Sequence, residues 1–453
     1  MNCLIKSIFI LLAVCFPLAL TAQSTPTPQT YTVKKKDTVY GIAHKYNISI
    51  DDLLKANPGV VDADYNLKKG TVLVIPAASQ PATASTPTKP AASTTGKKEK
   101  KSAGIHIGVM LPLHNNDGDG RRMLEYYRGV LLACDSLKRA GISTHIYAWN
   151  VAADKNVNTF LTNADVQKCD LIFGPLYTTQ VHSLASFCHQ NGTRLVIPFS
   201  IGGNEVSNNP NVFQIYQSAE RFNTMAVDAF MERFKGRHVV FIDCNDTTSR
   251  KGIFTSALRK RLEAAGQKYS ITNTKSSEAY FSKAFSRTQP NVVVLNTGRS
   301  PELNITFAKL NSLRASDATV SVSMYGYTEW LMYTKVYLEL FHKYDVYIPT
   351  TFFYNPLNRK TQELERTYRK WFHSDMQTAL PRFALVGYDH AQYFVRGLAK
   401  YGQKFKGAAW QNTYMPLQNA LKFEPASNKG GLQNSCFMLV HYRAGGSIDS
   451  ITY

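Results

Sequence analysis

The chain has 453 residues, 44% of them hydrophobic and 12% aromatic, and its formal net charge is +20 at pH 7. This length predicts about two to four domains, and the apolar content excludes a chain that is disordered throughout. The positive charge favours anionic surroundings, such as an acidic glycan, phospholipid headgroups or nucleic acid, and says nothing about the fold.

Residues 1–22 have the pattern of a secretory signal peptide. Lys6 supplies the positive start, and an apolar run from Ile8 to Leu20 precedes a small-residue cleavage site before Gln23. The run is shorter than the roughly 20 apolar residues that a membrane span needs. We therefore expect an exported protein of the periplasm or cell envelope, with no transmembrane span after signal removal. Export and the dispersed basic charge exclude nucleic acid as a partner.

The cysteines bear on two questions: whether the signal is that of a lipoprotein, and whether the mature chain holds disulfides or zinc. A lipoprotein signal anchored at Cys15 is the alternative, although Val14 is bulky where such signals need a small residue. Two of the seven cysteines, Cys3 and Cys15, fall in the signal, which leaves five with wide and irregular spacing. This fits neither a disulfide framework nor a zinc site, so we expect buried thiols. They are Cys134, Cys169, Cys188, Cys244 and Cys436.

Composition divides the mature chain into three parts. Residues 77–104 are rich in Ala, Ser, Thr, Pro and Lys, and hold almost no large apolar side chain. Such a segment cannot bury enough surface to offset its ordering entropy, so we expect a flexible linker. It separates a small unit at residues 31–76 from a large body at residues 105–453.

The small unit reads as strand, helix, helix, strand. Tyr31 and Val33 alternate with polar residues, and residues 71–76 (TVLVIP) form a second apolar run. Asp37 and Thr38 can cap a first helix, and the turn Asn57-Pro58-Gly59 ends a second.

These residues in this order resemble a LysM domain. The matching positions are Tyr31, Val33, Asp37-Thr38, Ile42-Ala43, Leu53, Asn57-Pro58, Leu67, Gly70, Leu73 and Ile75-Pro76. One departure is Lys36, where the family usually has glycine. The resemblance implies binding of an N-acetylglucosamine-containing glycan, chiefly peptidoglycan. The implied glycan-binding residues are Asp37, Thr38, Val39, Asn57, Pro58 and Gly59. From the residues alone, Asp37 and Asn57 serve equally well as cap and turn residues.

The large body predicts an α/β fold with parallel sheets. Near-continuous apolar strands alternate with amphipathic helices, which indicates sheets covered by helices on both faces. The strands are IHIGVML, CDLIFG, TRLVIP, RHVVFID, PNVVVLN and TVSVSMYG. One helix shows a clear apolar face formed by Met123, Tyr127, Val130, Cys134 and Leu137.

Polar side chains follow the carboxyl ends of these strands, where parallel sheets bind ligands. Hydroxyl, amide and tyrosine groups there suit a small polar ligand held between lobes. The candidate cleft residues are Asn115, Tyr177, Thr178, Thr179, Ser200 and Tyr327.

The body as a whole resembles a type 1 periplasmic binding protein of the leucine-binding and receptor ligand-binding kind. The best matching pieces are IHIGVMLPL, DLIFGPLYTTQV and RLVIPFS, and SALRKRLEAAG and FALVGYDHAQYFVRGLAKYG also fit. The resemblance implies two α/β lobes joined by three crossovers, which we place near Tyr216, Pro349 and Phe423.

The match departs from the amino-acid-binding members at the cleft. Thr178 and Thr179 fit the first ligand loop, but Ile201 follows Ser200 where threonine is usual. No matching tyrosine and acid are evident in the second lobe, where TTSRKGIF occupies the loop. The cleft then either binds another ligand or belongs to a rigid body for protein contacts.

No catalytic, metal or cofactor site is predicted. The loop NNDGDG at residues 115–120 begins like a calcium loop, but Tyr126 stands where the twelfth-position glutamate is needed. Neither His-Glu-x-x-His nor Gly-x-Ser-x-Gly occurs in the chain.

The sequence therefore predicts a non-enzymatic protein held to the cell wall, which binds a ligand or serves as a scaffold in regulating wall synthesis. Its expected partners are peptidoglycan, and a small polar ligand or an envelope protein. Two alternatives are a solute receptor for amino acids or peptides in an ABC-type transport system, and a cell-wall hydrolase.

Overall fold

The computed structural model describes residues 29–34, 42, 46, 48, 53, 55–58, 69–76, 104–200, 203–246, 248 and 251–453. The expected signal peptide and all but the last residue of the expected linker lie outside these residues. The chain forms two compact units, residues 1–98 and 99–453.

The small unit contains an antiparallel pair of strands over a compact apolar core. Strand β1 (Gln29–Thr32) begins earlier than the sequence predicts and pairs with β2 (Val72–Ile75), with Thr30 opposite Val74. The core side chains are at most 4% exposed: Val33, Ile42, Leu53, Leu73 and Ile75.

Asn57 joins the second helical region of this unit to β2. Its side-chain amide donates to the carbonyl oxygens of Leu53 (2.8 Å) and Val74 (2.7 Å), and its Oδ1 accepts from the Val74 N–H (2.7 Å). The side chain is buried, so these bonds form out of contact with water. Asn57 therefore fixes the end of the helical region against the strand.

The large body is built from fourteen strands and twelve α-helices within the described residues. In chain order the strands are β3 (Ile105–Leu111), β4 (Thr144–Asn150), β5 (Leu171–Phe173), β6 (Arg194–Ile197), β7 (Val212–Gln214), β8 (His238–Asp243), β9 (Tyr269–Asn273), β10 (Asn291–Leu295), β11 (Val322–Tyr325), β12 (Val346–Thr350), β13 (Phe423–Pro425), β14 (Leu432–Asn434), β15 (Met438–Tyr442) and β16 (Ile448–Thr452). The helices are α1 (Gly118–Arg139), α2 (Asn158–Leu161), α3 (Ala164–Lys168), α4 (Thr178–Asn191), α5 (Glu205–Asn208), α6 (Ala219–Arg233), α7 (Gly252–Ala264), α8 (Glu278–Lys283), α9 (Ser300–Ser316), α10 (Thr334–Lys343), α11 (Arg359–Phe372) and α12 (Phe383–Tyr401). Three short 3₁₀ turns cover Thr328–Tyr333, Gly402–Lys404 and Ala409–Gln411.

The strands form two seven-stranded sheets, one in each lobe. The first lobe has the strand order β13-β14-β7-β6-β5-β3-β4, and the second has β16-β15-β12-β11-β10-β8-β9. All pairs are parallel except β13–β14, β12–β15 and β15–β16. This confirms the predicted α/β class with parallel-dominated sheets.

Both faces of the first sheet are buried, as its continuous apolar strands predict. Val109 and its neighbours at odd positions of β3 pack into one core with α1 and α12. Met110 points the opposite way and packs with Val181 and Leu184 of α4.

The chain passes between the two sheets three times. The first passage follows β7 and the second follows β12. The third was expected near Phe423, and this position is wrong. Phe423 begins β13, which pairs with β14 in the first sheet, so the chain leaves that lobe only after Asn434. The sequence segment KFEPASNKGGLQN hides a hairpin of two three-residue strands, which are too short for a periodic signal.

Helices α1 and α12 lie so close together that their contact requires a glycine on each helix. A Cβ atom at Gly129 would lie 1.9 Å from the Ala384 carbonyl oxygen, and one at Gly387 would lie 2.0 Å from that of Tyr126. Only glycine permits this approach. The crossing also corrects the predicted apolar face: Tyr126 is fully buried, whereas Tyr127 is half-buried, because α12 covers a flank that a helix facing the sheet alone would leave open.

All five cysteines of the body are free and buried, as predicted. Burial raises the pKa of Cys134 and Cys244 to about 12. These thiols therefore behave as small apolar side chains.

His390 lies fully buried at the helix crossing. Its Nδ1 and the Tyr126 hydroxyl form a hydrogen bond of 3.1 Å, and burial lowers the pKa of His390 to about 3. The imidazole is therefore neutral in the folded body at every pH near neutrality.

Replacing His390 should reduce the loss of folding stability that occurs as the pH falls below neutrality. The unfolded histidine takes up a proton near its ordinary pKa of 6.5 but the folded one does not until about pH 3. The stability that His390 contributes is thus complete above pH 6.5 and is lost as the pH falls, by about 2 kcal/mol between pH 7 and pH 5. In the variant His390→Gln, the melting temperature should therefore fall less between pH 7 and pH 5 than it does in the wild type. His189→Gln, at an exposed histidine, should keep the wild-type decline, and identical slopes in all three proteins would contradict the assignment.

Replacing Asn57 should open the small unit. Asn57→Ala leaves the Leu53 and Val74 carbonyl groups and the Val74 N–H without partners, which should lower the free energy of unfolding by about 2 kcal/mol or more. Hydrogen–deuterium exchange of peptides from residues 69–76 of the full chain measures this loss. The exposed neighbour Lys55 gives the matched control Lys55→Ala, which should exchange like wild type.

Candidate functional site

Two predicted cleft residues meet at the carboxyl edge of the first sheet. Thr178 begins α4 just beyond β5, and Ser200 follows β6. Their hydroxyl oxygens lie 3.0 Å apart. Ser200 is 6% exposed, whereas Thr178 and Thr179 are exposed to solvent. The two hydroxyl groups therefore form a small cluster that solvent can reach from the Thr178 side.

The start of α4 adds backbone donors to this cluster. Tyr177 occupies the N-cap position, and its side chain makes no capping hydrogen bond. The first N–H groups of this 14-residue helix have no partner inside the helix, and the helix dipole is positive at this end. Together with the two hydroxyl groups, this is an arrangement that stabilises an anion.

Tyr177 and Asn115 lie towards the start of α1. The Tyr177 hydroxyl donates to Asp119 Oδ2 at 3.4 Å, and Asp119 also pairs with Arg122. Partial burial and Asp119 together raise the pKa of Tyr177. The Asn115 side chain is exposed, while its carbonyl oxygen accepts from Arg121 Nη1 at 3.4 Å.

Tyr327 in the second lobe differs from the other predicted cleft residues. It is 5% exposed, and its hydroxyl donates to the Leu295 carbonyl oxygen. The Lys251 ammonium lies 4.8 Å from the centre of its ring. Tyr327 therefore offers its ring to a cation, while its hydroxyl group is already bonded inside the protein.

An ion pair beside Tyr327 was missed by reasoning from the sequence. Lys251 Nζ lies 2.6 Å from Glu329 Oε1, and a Cβ atom at Gly298 would lie 3.2 Å from Lys251 Cε. Glu329 follows β11 only two residues after Tyr327, so the strand-end rule could have included it. The second lobe thus holds a tyrosine and an acid side by side, which the sequence pattern did not show.

A second acidic group lies at the carboxyl end of β8. Asp246 accepts from the Thr297 hydroxyl (2.6 Å) and from the Thr248 N–H (2.9 Å) and hydroxyl (2.7 Å), and Arg299 Nη1 lies 3.6 Å away. The hydrogen bonds from Thr297 and Thr248 lower the pKa of Asp246 to about 2. This carboxylate is charged at every physiological pH.

The predicted glycan-binding residues of the small unit fall partly outside the described residues. Asp37, Thr38, Val39 and Gly59 lie outside the described residues. Pro58 is exposed, and Asn57 uses its side chain for the internal bonds described above. The geometry of Asn57 therefore fits the turn role that the sequence left open.

The described residues contain no group of three or more His, Cys, Asp or Glu side chains placed to hold a metal ion. Within the same residues, no helix combines the length and apolarity that crossing a membrane requires.

Family models match both units of the chain. The model described as LysM domain matches residues 31–76. The model described as periplasmic binding protein matches residues 149–414, which is 266 of 453 residues and more than half of the chain. No curated protein matches the sequence significantly.

A solved structure shows the same fold at low sequence identity. A branched-chain amino acid ABC transporter protein from Rhodospirillum rubrum matches with a TM-score of 0.53 and 15% identity, over 77% of this chain and 100% of that one. An ABC transporter substrate-binding protein from Sphaerobacter thermophilus matches with a TM-score of 0.44 and 15% identity, over 77% and 97% of the two chains.

The family match agrees with the fold, which has two parallel-dominated sheets and three passages of the chain between them. The chain belongs to the periplasmic binding protein family and carries a LysM domain in front of the family's fold.

Proposed function

We propose that this chain is an exported binding protein, which the LysM domain holds to peptidoglycan while the body captures a small ligand with a carboxylate. The observation that carries the second part is the hydroxyl pair of Thr178 and Ser200, 3.0 Å apart beside the uncapped start of α4. The Thr178 hydroxyl, which Ser200 helps to position, and several backbone N–H groups can donate to one carboxylate without a charged partner.

The second lobe supports a ligand that also carries a positive group. Asp246 and Glu329 follow strands of the second sheet at their carboxyl ends, where ligands bind in sheets of this kind. The Tyr327 ring already holds one ammonium group, that of Lys251. A zwitterion such as an amino acid or a short peptide satisfies both lobes, with its carboxylate on the first and its ammonium on the second.

The charges at this edge favour a polar ligand over a branched aliphatic one. Lys251, Arg299 and Asp246 all lie near the ends of the second-lobe strands. The similar structure from Rhodospirillum rubrum bears the name of a branched-chain amino acid transporter. An apolar side chain gains least where charged groups line the site. We therefore place this chain's ligand among polar amino acids or wall-derived peptides.

A scaffold that takes no small ligand is the second candidate. The pair of Lys251 with Glu329 and the bond from Tyr327 to Leu295 satisfy part of the second-lobe edge without a ligand. A body of this kind would act through protein contacts in regulating wall synthesis. Either role is one of binding rather than of catalysis, in agreement with the family.

Ligand capture predicts a thermal shift that depends on the two hydroxyl groups. The full chain is screened with polar amino acids, short peptides and soluble wall peptides; a ligand at 100 times its Kd should add about 2.7 kcal/mol of stability. Thr178→Val removes one hydrogen bond to the carboxylate, and Ser200→Ala removes the group that holds the Thr178 hydroxyl in place, so each should weaken binding by about tenfold or more.

Ser183→Ala is the matched control, because Ser183 lies on the same helix α4, away from its start. It should bind like wild type. If no compound of the screen shifts the melting temperature, the scaffold role replaces ligand capture.

Anchoring predicts that retention on purified peptidoglycan sacculi requires the LysM domain. A chain that lacks residues 31–76 should bind sacculi at least about tenfold more weakly than the full chain, because it loses the domain that binds the glycan. Co-sedimentation measures the difference. Unchanged retention would refute the anchor and would leave the ligand-capture result untouched.

A further inference from the structure

The chain between α12 and β13 contains a rigid loop at residues 402–412, which we name the Trp410 loop. The Phe405 side chain is 1% exposed and packs in the first-lobe core. The Gln411 side chain accepts from the N–H groups of Lys406 (2.8 Å) and Ala408 (3.3 Å) and donates to the Lys404 carbonyl (2.9 Å). The loop is thus held by its own buried groups.

Two further hydrogen bonds fix the Trp410 loop to the lobe. The Tyr393 hydroxyl donates to the Gly407 carbonyl (3.0 Å), and Arg194 Nη2 donates to that of Gln403 (2.6 Å). Arg194 opens β6 at its amino end, whereas Ser200 lies past the carboxyl end of the same strand. The loop therefore lies at the opposite end of the sheet from the ligand cleft.

This rigid loop presents its largest apolar side chain to solvent. The Trp410 indole is 73% exposed, and Tyr401 meets it edge-on with ring centres 5.5 Å apart and planes at 82°. Of the four tryptophans in the chain, Trp330 is fully buried and only Trp410 is exposed. Since the anchors are Phe405 and Gln411, the loop does not need the indole for its own stability.

Three lysines lie in the Trp410 loop or next to it in the chain. Lys400, Lys404 and Lys406 are all exposed, and Lys400 Nζ lies 5.3 Å from the centre of the Tyr401 ring. Among the described residues, none of these three ammonium groups forms an ion pair with a carboxylate. A partner of this surface must therefore offer a flat apolar face together with negative charge.

We propose that the Trp410 surface, formed by Trp410, Tyr401 and these three lysines, is a second contact for the peptidoglycan strand. The indole stacks on the C–H face of a sugar ring, and the lysines pair with carboxylates of the peptide stems. This inference rests on the proposed anchor, because both contacts take the same polymer. Two linked contacts on one strand raise the overall affinity without a new domain.

The shape of the surface favours a glycan over a lipid bilayer. One exposed indole beside a half-buried tyrosine matches the width of a sugar ring, whereas stable attachment to a bilayer needs a larger apolar face or a longer basic run. Its position away from the cleft leaves the cleft accessible while the body rests on the wall.

Co-sedimentation of the full chain with sacculi tests the Trp410 surface. Trp410→Ala should weaken binding by about tenfold, and Trp410→Tyr should restore most of it, because a phenol ring still stacks. Exchange of the three lysines for Gln should weaken binding and reduce its dependence on salt. Leu357→Ala is the control, because Leu357 is an equally exposed apolar residue (84%); it should bind like wild type.

A second measurement reports on the indole itself. Soluble wall fragments should shield Trp410 from iodide quenching in the full chain, and Trp410→Phe should lack that protected fraction. Quenching unchanged by fragments, with Trp410→Ala bound as tightly as wild type, would overturn the inference and leave the anchor intact.

The remaining outcomes separate the two ideas. If deletion of residues 31–76 leaves binding unchanged while Trp410→Ala abolishes it, the anchor fails and the Trp410 surface stands. If vesicles of anionic phospholipid bind the chain through Trp410 and sacculi do not, the surface serves a membrane and the inference is wrong.

Discussion

The close crossing of α1 and α12 is the contact on which the first lobe depends. Gly129 and Gly387 bring the two backbones together, and any side chain at either position would meet a carbonyl oxygen. The two helices come from distant parts of the chain, so this contact closes the lobe. It also places Asp389, buried beside it, where its carboxylate accepts from the Tyr414 hydroxyl (2.6 Å) and from three backbone N–H groups of residues 417–419 (each 2.8 Å). These hydrogen bonds fix the segment that follows the Trp410 loop, residues 414–419.

The two ends of the first-lobe sheet present different chemistry. At the carboxyl end, hydroxyl groups and the start of a helix meet around Thr178 and Ser200, and they suit a compact anion. At the amino end, an indole and lysines face solvent, and they suit an extended polymer. Because strands β3 to β7 of this sheet all run in the same direction, their amino and carboxyl ends lie at opposite edges and keep these surfaces apart. Under the proposed function, this separation lets one lobe contact the wall while it holds a small ligand.

Much of the fold could be predicted from the sequence, because its strongest signals are local. Each apolar strand and the LysM pattern lies in one continuous segment, so each predicts its structure without information from other parts of the chain. Three features could not be predicted in this way: the burial of Tyr126, the late third passage after Asn434, and the pair of Lys251 with Glu329. Each depends on a partner from another part of the chain. Of the predicted cleft residues, the structure brings Thr178 and Ser200 together, but it turns the Tyr327 hydroxyl inward.

The third passage has a consequence for how the chain acquires its structure. Strand β14 pairs with β7 in the first sheet, and β15 pairs with β12 in the second. Both strands come from the last part of the chain, so the edges of β7 and β12 stay unpaired until almost all of the chain has been synthesised. Open strand edges and long-range pairing make folding slow and expose the chain to aggregation. Neither sheet is therefore complete until the last strands of the chain have been added.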